Sequence, residues 1–336
     1  MKAIHFYTIK SSGGLKVEIS NLGAKITKLL VASRKGEVKD VVLGFNSADE
    51  WRTQETYFNA ICGRVANRIK GGVFELRDKS EEPKVYHLPQ NNNGNCLHGG
   101  NEGFNAKIWD VVEQSLFEIK LHYRAKDGEE GFPGNLDVWV TYTATKDNTL
   151  RIRYEAKTDA PTLVAFTNHA YFNLAGEGSG RVDDHVLQVF ADRYTPFDDT
   201  ACPTGEILPV EGTPMDFRQP VRIGDRINDP FFVPGRGIDN NWCLCDADAP
   251  KELRHAATLH ADGRTMECWT TMVGMQVYTG NYIEQHLGKS GTMYDEQHAV
   301  CLEAQNWPDA IHHERFPNIV LRPDQKLEEI TEYRFL

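Results

Sequence analysis

Polar and apolar residues alternate with a period of two along much of this chain. Leu116–Arg124 reads LFEIKLHYR, with Phe117, Ile119, Leu121 and Tyr123 on one face. Leu136–Ala144 places Leu136, Val138, Val140 and Tyr142 on one side, and Leu150–Lys157 alternates strictly. Such alternation predicts half-buried strands. Lys146-Asp147-Asn148-Thr149 reads as a hairpin connection, and Ala261-Asp262-Gly263-Arg264 as a tight turn whose Asp-Gly pair accepts positive φ. Helical patterns are few: Ser47–Gln54, capped by Ser47, and Val221–Ile227. Long loops lie between, at Gln90–Gly103, Lys126–Asn135, Gly176–Asp184, Thr195–Gly205 and Pro230–Asn240; loops of this length in a compact fold often carry the site. No composition shift or repeat divides the chain. The pattern predicts an all-β fold, a large antiparallel β-sandwich spanning residues 1–336 as one domain.

Composition narrows the function. The formal net charge of -11 opposes binding to nucleic acid or anionic lipid. No apolar run approaches membrane-spanning length, and the N-terminus lacks a signal-peptide pattern, so a cytoplasmic location is expected. Seven cysteines, an odd number without a CxxC pair, read as free thiols; Cys243 and Cys245 share a face if their segment is a strand.

Chemistry-bearing side chains fall in a few segments: Asn67-Arg68, Leu97-His98-Gly99-Gly100, Asn168-His169-Ala170-Tyr171-Phe172-Asn173, and Glu303 in CLEAQNWPD, with Asp239 and Gln276 beside them. Glu303 stands out, because a carboxylate inside a strand that reads as buried needs a partner or a function; pairing with Arg68 is its structural alternative. Gly176-x-Gly178-x-Gly180 lacks a following helix and a P-loop lysine, and reads as a surface loop. His312-His313-Glu314 does not read as a metal site, since neighbouring side chains of a strand point to opposite faces.

Together these segments resemble the aldose 1-epimerase (galactose mutarotase) family, over nearly the whole chain. The resemblance extends to Asp127–Asn135, Tyr278-Thr279-Gly280-Asn281, Pro317-Asn318 and Leu321-Arg322-Pro323. It implies a galactose mutarotase-like supersandwich with an open cleft, and interconversion of the α and β anomers of free hexoses such as galactose and glucose. By the resemblance Glu303 falls on the general base and His169 on the general acid. Asn67, Arg68, His98, Tyr171, Asp239 and Gln276 fall on sugar-contacting positions, Tyr171 as a stacking candidate and His98 as the second choice for the acid.

The reaction moves one proton from the C1 hydroxyl and another onto the ring oxygen, then reverses both transfers. Nothing is oxidised and no group leaves, so no metal or other cofactor is required. A monosaccharide is the expected partner, and the chain is expected to be a monomer or weak homodimer. Ring opening needs Glu303 ionised and His169 protonated, the two facing each other across a sugar-sized gap. Carboxylates near His169 should then raise its pKa and give a bell-shaped pH profile whose upper limb is His169. A glycosidase using Asp239 and Glu303, a non-catalytic sugar binder and an epimerase for phosphorylated sugars are the alternatives.

Overall fold

The computed structural model describes residues 3–54, 57–77 and 82–336. Three antiparallel sheets carry the fold. The largest has nine strands in the order Asp110–Gln114, Glu118–Ala125, Leu136–Ala144, Thr149–Thr158, Leu327–Phe335, Arg264–Thr270, Arg254–Ala261, Val186–Val189 and Val221–Arg222. A five-stranded sheet runs Leu208–Pro209, Arg193–Thr195, Asp239–Cys243, Gly274–Tyr278 and Cys301–Gln305. A four-stranded meander covers Phe6–Asp40.

One apolar cluster joins them. Tyr142, Ile152 and Tyr154 of the nine-stranded sheet, Trp242, Met275 and Leu302 of the five-stranded sheet, and Val17 and Leu29 of the meander are all fully buried in it. Each such side chain contributes roughly 1.5–3 kcal/mol by leaving water. Tyr333 Oη donates across the interface to the Leu302 carbonyl at 3.1 Å, so its hydroxyl is not stranded in the core.

The alternating segments form strands as their pattern predicts. Leu136–Ala144 pairs in register with Thr149–Thr158, and Asn148, at φ +57°, makes the turn between them. Asp262 and Gly263, at φ +50° and +70°, close the second hairpin over the Ala261–Arg264 pair. Phe117 departs from its predicted face. It lies in the turn that Ser115 closes onto Glu118, one residue before the strand begins, and is 49% exposed.

Ser47 caps a helix over Ala48–Thr53, and the Glu50 side chain returns the bond to its backbone. Val221–Ile227 is not a helix. Val221–Arg222 pairs with Val186–Leu187 at the sheet edge, and a 3-10 turn follows over Ile223–Asp225. Ile223 and Ile227 are both buried, so the four-residue spacing that suggested a helix reflects one turn only. Cys243 and Cys245 pack in one smaller apolar cluster with Trp307 and Phe316, as a shared face requires, and all seven cysteines are free. Among the described residues, no helix is long and apolar enough to cross a membrane.

Candidate active site

The five-stranded sheet is buried on both faces, and period two sorts its residues. Met275, Val277, Leu302 and Ala304 face the core. Gln276 and Glu303 are direct cross-strand partners on the opposite face, and Gln276 also pairs with Asn241. A one-residue slip would turn Glu303 into the core, so the apolar face fixes the position of the carboxylate.

Asp239 lies two residues before Asn241 on that face, and its Oδ1 accepts a 2.7 Å bond from Gln276 Nε2. Tyr278 lies two residues after Gln276 and also reaches the cleft.

His169 follows the short strand Thr167–Asn168. Its N–H donates to the Ala60 carbonyl at 2.9 Å, and its carbonyl accepts from Asn59 at 3.0 Å. The ring stacks on Tyr171 at 4.9 Å and meets the edge of Tyr278 at 5.9 Å. These contacts leave Nε2 3.5 Å from Glu303 Oε1.

Asn67 and His98 both adopt positive φ, +60° and +49°. The His98 N–H donates to the Asn67 carbonyl at 3.0 Å, and the Asn67 N–H donates to His98 Nδ1 at 3.1 Å. A backbone N–H can only donate, so Nδ1 is the unprotonated nitrogen and Nε2 carries the proton. Arg68 sits on the strand Arg68–Ile69, paired with Cys96–Leu97, and its Nε donates to Asn92 Oδ1 at 3.1 Å.

A cavity of about 360 Å³ brings together Asn67, Arg68, His98, His169, Tyr171, Asp239 and Glu303, within the size range of small-molecule sites. Gln276 does not line it. It lies behind, in a small annex shared with Arg68, Asp239 and Asn241, where it orients Asp239. Tyr171 lines the cavity, but its ring is stacked on His169 and packed on Phe58 at 4.3 Å, so it supports the imidazole rather than offering a free face for stacking.

Tyr57, Asn92, Phe197, Asp198, Asp199, Tyr278 and Tyr282 also line the cavity; none was read as a site residue in the sequence, where Tyr278 entered only as part of a motif of the resemblance. Tyr278 was within reach of period-two reasoning from Gln276. Phe197, Asp198 and Asp199 belong to a loop flagged only by its length.

Electrostatics differ from the sequence expectation. Burial lowers the His169 pKa to about 4, where nearby carboxylates were expected to raise it. Burial, with repulsion from Asp239, pushes Glu303 well above the ordinary carboxylate range, and Arg68 offsets this only in part. Burial also raises Asp239, against the pull of Arg68. Removing two groups from water disfavours their charged forms, so burial pushes Glu303 toward its protonated form and His169 toward its neutral one, and the two titrate as a coupled pair. Proton loss at high pH belongs to the pair and not to His169 alone. Burial, His169 and Arg68 hold His98 neutral.

Nor do the two groups face each other across a sugar-sized gap; they stand side by side. Two titratable groups 3.5 Å apart can exchange protons with two oxygens bonded to one carbon.

Donor atoms of His98, His169 and Glu303 lie within 4.8 Å of one another, a set of the type zinc uses. The Asn67 bond works against ligation by His98: with Nδ1 occupied as an acceptor, Nε2 keeps its proton and offers no lone pair. The same proton suits a sugar oxygen. The His312–His313 pair differs from its strand reading. It lies at the end of a 3-10 turn, and both rings face Asp309, at 2.6 and 3.4 Å.

Comparison with known proteins agrees with the architecture. A family model described as Aldose 1-epimerase matches residues 5–334. Galactose mutarotase of Homo sapiens is 42% identical over 324 residues, covering 96% of this chain and 91% of that one. Aldose 1-epimerase of Escherichia coli (strain K12) is 31% identical over 334 residues, covering 98% and 94%. Among solved structures, an aldose epimerase homologue from C. elegans superposes with a TM-score of 0.89 at 30% identity, over 99% of each chain.

Proposed function

The chain belongs to the aldose 1-epimerase family, and we propose that it interconverts the α and β anomers of free hexoses such as galactose and glucose, with Glu303 as general base and His169 as general acid. It is an isomerase. The observation that carries the residue assignment is the 3.5 Å approach of His169 Nε2 to Glu303 Oε1 inside the cavity.

In the forward step Glu303 takes the C1 hydroxyl proton while His169 delivers one to the ring oxygen, and the bond between C1 and that oxygen breaks. The aldehyde turns about C1–C2. On reclosure Glu303 returns its proton to the carbonyl oxygen and His169 recovers its own from the attacking hydroxyl. Both residues end the turnover as they began it. Each transfer is worth roughly 10²–10⁴ in rate. The reactive arrangement, carboxylate and imidazolium, carries the same total charge as the neutral pair that burial favours, so sugar binding has only to redistribute one proton between Glu303 and His169.

The surrounding groups complement a polyhydroxylated ligand. Asp239 accepts, Arg68 donates, and the Nε2 proton of His98 is aimed at an oxygen. Asp239 Oδ1 is oriented by the 2.7 Å bond from Gln276 Nε2, which places its carboxyl as an acceptor for a hydroxyl.

Polarimetry of freshly dissolved α-D-galactose and α-D-glucose tests the proposal. Purified protein should speed the return to the equilibrium rotation, and a chelator should not alter it. A rate equal to the buffer rate for both sugars contradicts the proposal.

A further inference from the structure

The segment after Glu303 contains a buried carboxylate that the mechanism leaves unused. Asp309, whose side chain is 0% exposed, sits in the left-handed region at φ +56° and grips the Arg68 strand at two points. Its N–H donates to the Arg68 carbonyl at 2.9 Å, and its Oδ1 accepts from the Lys70 N–H at 2.8 Å. Those two backbone groups flank Ile69, so the carboxylate clamps the chain directly beyond the residue that carries the guanidinium. His312 Nδ1 lies 2.6 Å from the same Oδ1 and holds it from the solvent side. Lys70 continues the link, because its Nζ reaches Asp198 Oδ2 at 2.6 Å, on the cavity wall.

We propose that Asp309, held by His312, is a positioning residue that fixes the strand presenting Arg68 to the cavity shared with Asp239 and Glu303 and thereby sets sugar affinity. Burying a carboxylate is costly unless it is paired; among the described residues the side-chain partners of Asp309 are His312 at 2.6 Å and His313 at 3.4 Å, and the buried group is used to hold the strand of Arg68. Arg68 draws down the pKa of both Asp239 and Glu303, so a shift of its strand changes both. Asp309 touches no sugar and takes no proton from one; it acts through Arg68.

The inference rests on the assignment of Arg68 to the sugar site, and the test keeps the two apart by reading galactose affinity by calorimetry as well as KM. Asp309→Gly removes the side chain while keeping the positive φ. It should weaken galactose binding and raise KM on the order of 10-fold with kcat changed far less. Asp309→Asn, which keeps an acceptor for Lys70 and tolerates the same backbone, should restore most of the affinity. His312→Ala, at a partly exposed position, should produce a smaller rise of about 3-fold in a chain that folds normally. In an Arg68→Gln background each change should have no further effect on affinity, as expected of groups acting in series. Unchanged affinity in folded Asp309→Gly and His312→Ala, or an undiminished loss in the Arg68→Gln background, would overturn the proposal. Wild-type protein that binds galactose without speeding its mutarotation would instead overturn the function while leaving this test intact.

Discussion

Two buried polar clusters in this chain are built from similar groups to opposite ends. Beneath the meander, Lys289 donates to Asp40 Oδ2 at 2.8 Å and to the carbonyls of Thr27 and Val42 at 2.9 and 2.7 Å. Asp40 Oδ1 accepts from the Leu29 and Val42 N–H groups, and Tyr294 Oη bonds Glu177 while accepting from Gly44. Every ionic group there is occupied. On the face of the five-stranded sheet that carries Glu303, Glu303 Oε2, Gln276 Oε1, Asn241 Oδ1 and both amide atoms of Gln305 have no hydrogen-bond partner among the described residues. A buried polar group left incomplete costs about 1–3 kcal/mol. The first cluster is complete within the chain and stabilises the fold; the second keeps polar atoms unpartnered on the face that carries Glu303. Similar groups are thus closed on one another in the first cluster and left open beside the cavity in the second.

The largest expected effect breaks the cleft without touching the fold. His169→Asn should lower kcat by roughly 10²–10⁴, with an unfolding midpoint near that of the wild type, read by polarimetry and calorimetry on one preparation. Lys289→Met inverts the pattern. It strands Asp40 in the interior, and loss of one partner of a buried pair costs about 3–5 kcal/mol. Activity at a temperature where this variant stays folded should be close to wild type; a selective loss of kcat would dissolve the distinction between the clusters.

Acid titration sharpens it further. His169 and His185 are both lowered from 6.5 to about 4 by burial. Because the folded values lie below the unfolded ones, these neutral rings cost the fold nothing above pH 6.5, and stability falls as pH drops from 6.5 toward 4. A shift of that size corresponds to about 3 kcal/mol per ring at most. His169→Asn should remove its own share of the acid loss in denaturant titrations between pH 7 and 4; an unaltered slope would mean that the ring is already charged in the fold. The smallest effect is expected at Asp239→Asn, where loss of one charged hydrogen-bond acceptor should raise KM about 10-fold and leave kcat nearly intact.

Much of this was legible in the sequence where period two operates on both faces. Glu303 could be found because a charge interrupts an apolar strand, and the same register then placed Gln276 on its face. The sequence did not reveal that Gln276 stands behind Asp239, since depth within a face depends on the loop that covers it. Nor did it reveal that His312 and His313 converge on Asp309, because the strand rule fails once the backbone turns at φ +56°. Tyr57 and Asp198 reach the cavity from loops, where no periodicity reports direction. The helix predicted at Val221–Ile227 shows the same limit: two buried isoleucines four apart satisfy a single turn as well as a helix.

The central claim is that Glu303 is poised for proton transfer and not for holding the fold. Initial mutarotation rates of α-D-galactose with Glu303→Gln, beside calorimetric binding of the same sugar, test it directly. The account predicts a kcat lower by at least about 10² with galactose still bound. Near-normal turnover in that variant would contradict it.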